Sequence, residues 1–171
     1  MRGIVYARQG RLPQAERQLR RVLDIDPGLA DAWLELGHIM VVQRRYADAE
    51  SHLLRAQALK PAMTDARESL GRVYIALGRN EDAVEQFRRI IDRTPDSAAA
   101  LDGLASALRQ SGRTTAAYQT CARALSLGPD DVRLLISMGR ICHDMGGLEA
   151  ALHHYRKAVQ LAPGFVPAIY G

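Results

Sequence analysis

Cysteine is nearly missing from this sequence: of 171 residues, only Cys121 and Cys142 are cysteines. No disulfide framework can be built from them, so a reducing compartment, the cytoplasm, is the expected setting. Aromatic residues make up only 5%. The core must then come from Ala, Leu, Ile and Val, which suits close-packed helices better than a β-sandwich. No stretch approaches the roughly 18 apolar residues of a membrane span, and the opening MRGIVYARQG lacks the apolar segment of a secretory signal. Lysine is scarce too, at Lys60 and Lys157, so the net charge of +4 is carried almost wholly by arginine. That surplus is small and spread along the chain, and nucleic-acid binding is not the expected function.

Against these shortages stands one strong regularity. Pro27, Pro61, Pro95, Pro129 and Pro163 lie 34 residues apart. Ala15, Ala49, Ala83, Ala117 and Ala151 keep the same step, as do Gly3, Gly37, Gly71, Ala105 and Gly139. Larger side chains recur at Leu19, Leu53, Phe87, Cys121 and Tyr155, and basic ones at Arg21, Arg55, Arg89, Arg123 and Lys157. Each unit reads as two helices. In the unit ending at Pro95, Leu70, Val73, Tyr74 and Leu77 have the spacing of an amphipathic helix, and Ala83, Val84, Phe87, Ile90 and Ile91 set the face of a second. Gly78 supplies a stop between them, and Thr94–Pro95 ends the second helix because proline lacks the N–H. The small columns let backbones approach closely. One such hairpin cannot bury its apolar face alone, whereas a stack of them can.

Glycine-flanked GRICHDMGG, residues 139–147, sets Cys142, His143 and Asp144 side by side and has the look of a catalytic group. The columns argue otherwise. Cys142 shares its column with Tyr6 and Tyr74, and Cys121 shares one with Phe87 and Tyr155, so both thiols are expected in the core. His143 points to a different face from Cys142. His153 and His154 are neighbours on one helix, about 100° apart, and do not chelate one ion. No histidine has a His, Cys or carboxylate partner at the spacing that a helical metal site requires. No catalytic residue, metal ligand or cofactor site is therefore expected. The basic column could form a ridge, but cations are also favoured at helix C-termini on electrostatic grounds alone.

These columns resemble the tetratricopeptide repeat family, whose 34-residue signature is W-x2-L-G-x2-Y, then A-x3-F, then P. Trp33, Leu36, Gly37, Ala49, Leu53 and Pro61 match one copy; Leu70, Gly71, Tyr74, Ala83, Phe87 and Pro95 match the next. Met40, Leu53 and Cys121 stand where the family has an aromatic residue, and Ala105 replaces the glycine. The resemblance implies an all-α fold, a right-handed α-solenoid of antiparallel helix pairs. It would form a single array over 1–171: a partial repeat at 1–29, full repeats at 30–63, 64–97, 98–131 and 132–165, and the start of a further helix at 166–171. The chain begins and ends inside a helix, without a polar capping helix. A fragment of a longer protein, or self-association through open array ends, is the corresponding expectation.

The resemblance also implies that first helices line a concave groove that holds a peptide or partner segment. Carried over by register, the groove columns are Asp31, Asp65, Ala99 and Arg133; Leu34, Glu68, Asp102 and Ile136; His38, Arg72, Ser106 and Arg140; and Val41, Ile75, Arg109 and His143, with Asp144 at the edge. Acidic residues gather in the earlier columns. Basic ones gather in the later columns and toward the C-terminal units, which would suit an acidic or carboxylate-ended segment. The competing structural reading makes Glu68–Arg72 an ordinary i,i+4 surface pair. The Lys and Asn carboxylate clamp of the family's chaperone-tail binders is absent, since the only asparagine is Asn80. A non-enzymatic protein-binding scaffold is the expected function. The alternative is a substrate-docking or regulatory arm of a larger bacterial enzyme such as a sulfotransferase or glycosyltransferase.

Overall fold

The protein, seen here as a computed structural model, is described over residues 12–163. Expectations resting on Gly3, on Tyr6, on a helix cut at Met1 or on a further helix from 166 lie outside the described residues. Within them there are nine helices and no strand: α1 (Leu12–Ile25), α2 (Ala30–Val42), α3 (Tyr46–Leu59), α4 (Thr64–Ala76), α5 (Asn80–Ile91), α6 (Ala98–Gln110), α7 (Thr114–Leu127), α8 (Val132–Asp144) and α9 (Leu148–Leu161). The first helices α2, α4, α6 and α8 start 34 residues apart, and so do the second helices α3, α5, α7 and α9. None of the described helices is long and apolar enough to cross a membrane.

Backbone chemistry sets these boundaries. Each first helix ends on a residue in the left-handed region: Gly78, Gly112 and Gly146 at φ 74°, 77° and 79°, and Arg44 at φ 58°. The next amide in each case reaches back to close the helix end, as Arg79 N does to the Tyr74 carbonyl at 2.8 Å and Gly147 N to Cys142 at 2.9 Å. Glycine takes this conformation without cost; Arg44 does not. At the N-termini, Asp131 caps α8 by accepting from the amides of Arg133 and Leu134, and Ser97 Oγ caps α6 by accepting from Ala100 N.

The chain divides between Arg79 and Asn80 into two compact units. In the N-terminal unit α1 packs on α2, α2 on α3 and α3 on α4, and the first helices α2 and α4 touch directly. Its core is aliphatic: Leu19, Leu36, Ile39, Met40, Leu53, Leu70 and Val73 are all buried. In the C-terminal unit consecutive helices from α5 to α9 pack in the same way, with first helices α6 and α8 in contact. There Leu101, Ala124 and Leu134 form a cluster flanked by Ile91, Ala98 and Leu125. The small column works as close contact: a Cβ on Gly37 would lie 2.6 Å from the Leu53 side chain, and one on Gly139 would lie 2.4 Å from the Tyr155 ring. Both thiols are free and buried, as their columns require. In place of disulfides, ion pairs link successive second helices to the turns that follow: Arg79–Glu50 at 2.8 Å in the first unit, and Arg113–Glu81 in the second.

Candidate functional site: the first-helix faces

In the N-terminal unit the first helices α2 and α4 frame an open recess of about 390 Å3, lined by His38, Val41, Val42, Glu68, Ser69 and Arg72. Its polar groups answer one another. His38 Nε2 and Ser69 Oγ are 2.9 Å apart, and Arg72 donates to Glu68 at 2.7 Å one helical turn away. The two valines supply an apolar edge, with Val42 largely exposed at 66%. Such a surface can seat an apolar side chain beside a hydrogen-bonded backbone.

In the C-terminal unit α6 and α8 frame a smaller recess of about 20 Å3, lined by Ser106, Arg109, Ser137, Arg140 and Ile141. Arg109 donates to Asp144 at 2.7 Å, across from α6 to α8. That hydrogen bond is the main reason the Asp144 carboxyl is held below its usual pKa, and His143 Nδ1, 3.6 Å from the same carboxylate, acts in the same direction. Arg133 stands apart from the recess, paired with Asp131 at 3.2 Å.

Of the residues placed on this face by register, His38, Val41, Glu68 and Arg72 come together in one recess, and Ser106, Arg109 and Arg140 in the other. Asp31, Asp65, Ile75, Ala99, Asp102, Arg133, Ile136 and His143 line neither. Leu34, placed in a groove column by register, is buried, at 7% exposure. A leucine gains by full burial at a column where Glu68 and Asp102 stay half-buried. Register missed Ser69 and Ser137, which lie two periods apart and line corresponding places in the two recesses. Their shared column was the available signal.

Away from this face, the residues that suggested chemistry have structural partners. Trp33 donates from Nε1 to the Pro27 carbonyl at 2.9 Å, and its ring lies 5.5 Å from that of His52. One period on, Arg67 does the same for Pro61 at 3.2 Å. Burial pushes the Cys121 thiol up to about 12, with Asp102 and Cys142 adding to the effect. The rings of His153 and His154 meet edge to face at 5.4 Å. Among the described residues no group of three His, Cys, Asp or Glu could hold a metal ion.

Models of the tetratricopeptide repeat match residues 1–64 and 68–132, and again 132–165. No curated protein matches the chain. Among solved structures, MamA from Desulfovibrio magneticus RS-1 (residue 41 to the end) superposes with a TM-score of 0.83 at 17% identity, covering 94% of this chain and 91% of that one. MamA of AMB-1 gives 0.72 at 28% identity, covering 98% and 91%. YrrB, described as a TPR protein with an unusual peptide-binding site, gives 0.74 at 20% identity, covering 95% and 84%.

Proposed function

Since the chain belongs to the tetratricopeptide repeat family, we propose that it is a protein-binding scaffold whose first-helix faces hold an extended segment of a partner protein. Proteins of this family are generally scaffolds without catalysis. One observation carries the reading. Two recesses, one in each unit, are built from corresponding repeat positions 68 residues apart (His38 and Ser106, Ser69 and Ser137, Arg72 and Arg140). Each recess suits one side chain of an extended segment whose backbone continues past it along the first-helix face of that unit. The peptide-binding site named for YrrB supports the same class of ligand. The register-placed residues from Asp31 to His143 remain the proposed contact set, with Leu34 contributing through packing. The free, buried thiols support residence in the cytoplasm.

The test is selection from a random peptide library, followed by chemical-shift mapping of the selected peptides on the labelled protein. Shifts are expected on His38, Val41, Ser69, Ser106 and Arg140. Shifts confined to the second helices α3, α5, α7 and α9 would overturn the reading.

A further inference from the structure

Two periods apart, corresponding columns carry opposite states of satisfaction. In the N-terminal unit His38 is bonded to Ser69, and Arg72 to Glu68. In the C-terminal unit Ser106 and Ser137 occupy the places of His38 and Ser69, yet neither hydroxyl has a hydrogen-bond partner among the described residues. Ile136 stands where Glu68 does, so Arg140 lacks the carboxylate that Arg72 finds one turn back. Arg140 makes no ion pair or hydrogen bond among the described residues. Arg109, where the first unit has Val41, adds a second guanidinium, but Asp144 already holds it at 2.7 Å.

The charge at this recess follows directly. Arg109 and Arg140 contribute two positive charges and Asp144 one negative, leaving about one uncompensated positive charge and two hydroxyl donors with no internal acceptor. His143 Nδ1 lies 3.6 Å from Asp144. With about 20 Å3 of space, the recess admits the tip of a side chain and no ring. We propose that this recess is the subsite that takes an aspartate or glutamate side chain of the bound segment. Arg140 is its primary cation, Ser106 and Ser137 are the neutral donors, and Asp144 is an internal competitor for Arg109. The proposal rests on the scaffold reading above and adds the chemistry of one contact to it.

The probe is an end-capped hexaglutamate peptide, with hexaglutamine as its neutral twin, titrated into the labelled full chain at low salt. Hexaglutamate is expected to shift the resonances of Ser106, Ser137 and Arg140, and hexaglutamine to leave them in place. Arg140→Gln should weaken hexaglutamate binding roughly tenfold, the size of one lost charge-assisted hydrogen-bonded contact. Arg156→Gln, on the exposed side of α9, makes the same change in net charge and should alter binding less than about twofold. Asp144→Asn frees Arg109 and should tighten binding about two- to fivefold. Equal effects of Arg140→Gln and Arg156→Gln would overturn the subsite, because they would reduce the attraction to overall charge. An unchanged affinity in Asp144→Asn would overturn the competitor role. Library peptides that still map to the first-helix faces while hexaglutamate ignores Arg140 would remove the carboxylate subsite and leave the scaffold standing.

Discussion

Arg123 on α7 donates from Nη2 to the carbonyl oxygen of Pro95, 28 residues earlier, at 2.7 Å. One period on, Lys157 Nζ makes the same bond to Pro129 at 2.9 Å. In these two repeats the basic column therefore braces a second helix against the loop that precedes its own repeat, and the recurring proline provides the acceptor. Nearby acids reinforce each brace, Asp96 at 3.6 Å from Arg123 and Asp130 at 2.9 Å from Lys157. Both cations are partly exposed, so each bond sits at the low end of its class. Arg123→Ala should lower unfolding stability by about 0.5–1 kcal/mol. Arg123→Lys should keep most of it, because Lys157 already makes the bond with an ammonium group. Urea unfolding of the two variants checks the difference.

Ala105 and Cys121 occupy the register positions at which Gly37 meets Leu53 and Gly139 meets Tyr155. Where the second-helix member is large, the first-helix member has no Cβ; where it is the small cysteine, an alanine is accommodated. Both Ala105 and Cys121 are fully buried. Cys121→Phe should then cost about 1–3 kcal/mol by overpacking, and adding Ala105→Gly should recover a good part of that loss. A double-mutant cycle measured by thermal or urea unfolding should give a coupling of about 1 kcal/mol or more. Additive effects would mean that the two positions are not in register contact.

The helix pairs were legible because their signals are local and repeat: prolines after second helices, glycines in left-handed turns, and small residues where backbones meet. Arg44 was illegible for the complementary reason. It holds the turn conformation that Gly78, Gly112 and Gly146 hold, but its identity carries no turn signal. On the first-helix faces, register assigned side chains to columns but did not reveal their pairing. Arg109 reaches Asp144, 35 residues away, a contact set by the stacking of α6 on α8 and not by spacing along one helix. The Glu68–Arg72 pair lies within a single helix and could be read directly. Leu34 shows the limit of a column: the same place holds a half-buried carboxylate in one repeat and a fully buried aliphatic chain in another.

Thiol chemistry should report the core directly. Burial raises the thiol pKa of both Cys121, to about 12, and Cys142, and the thiolate is the reacting form. In the native chain at pH 8, a disulfide reagent such as Ellman's should label neither thiol on a scale of minutes. In denaturing urea both should react promptly. Fast labelling of either thiol under native conditions would show that its repeat opens locally, because a static buried thiol at this pKa does not react.

Acid should weaken the start of α8 through Asp131. Burial raises the pKa of this carboxyl, but the side-chain and backbone hydrogen bonds from Arg133, its charge, and the Leu134 amide outweigh that effect and leave the pKa lowered. A carboxyl whose folded pKa lies below its unfolded value of about 3.9 contributes stability that is fully present above that value. The contribution is lost as pH falls through the folded pKa. Asp131→Ala should cost about 1 kcal/mol at pH 7, the usual value of a lost N-cap. Asp131→Asn keeps a capping oxygen without a titrating group, so its stability should fall less than that of the parent between pH 5 and pH 2. Asp144, lowered through Arg109, titrates in both proteins, so the variant should retain that part of the acid response. Urea midpoints across this pH range separate the two contributions. Parallel curves for the parent and Asp131→Asn would show that the cap does not contribute through its charge.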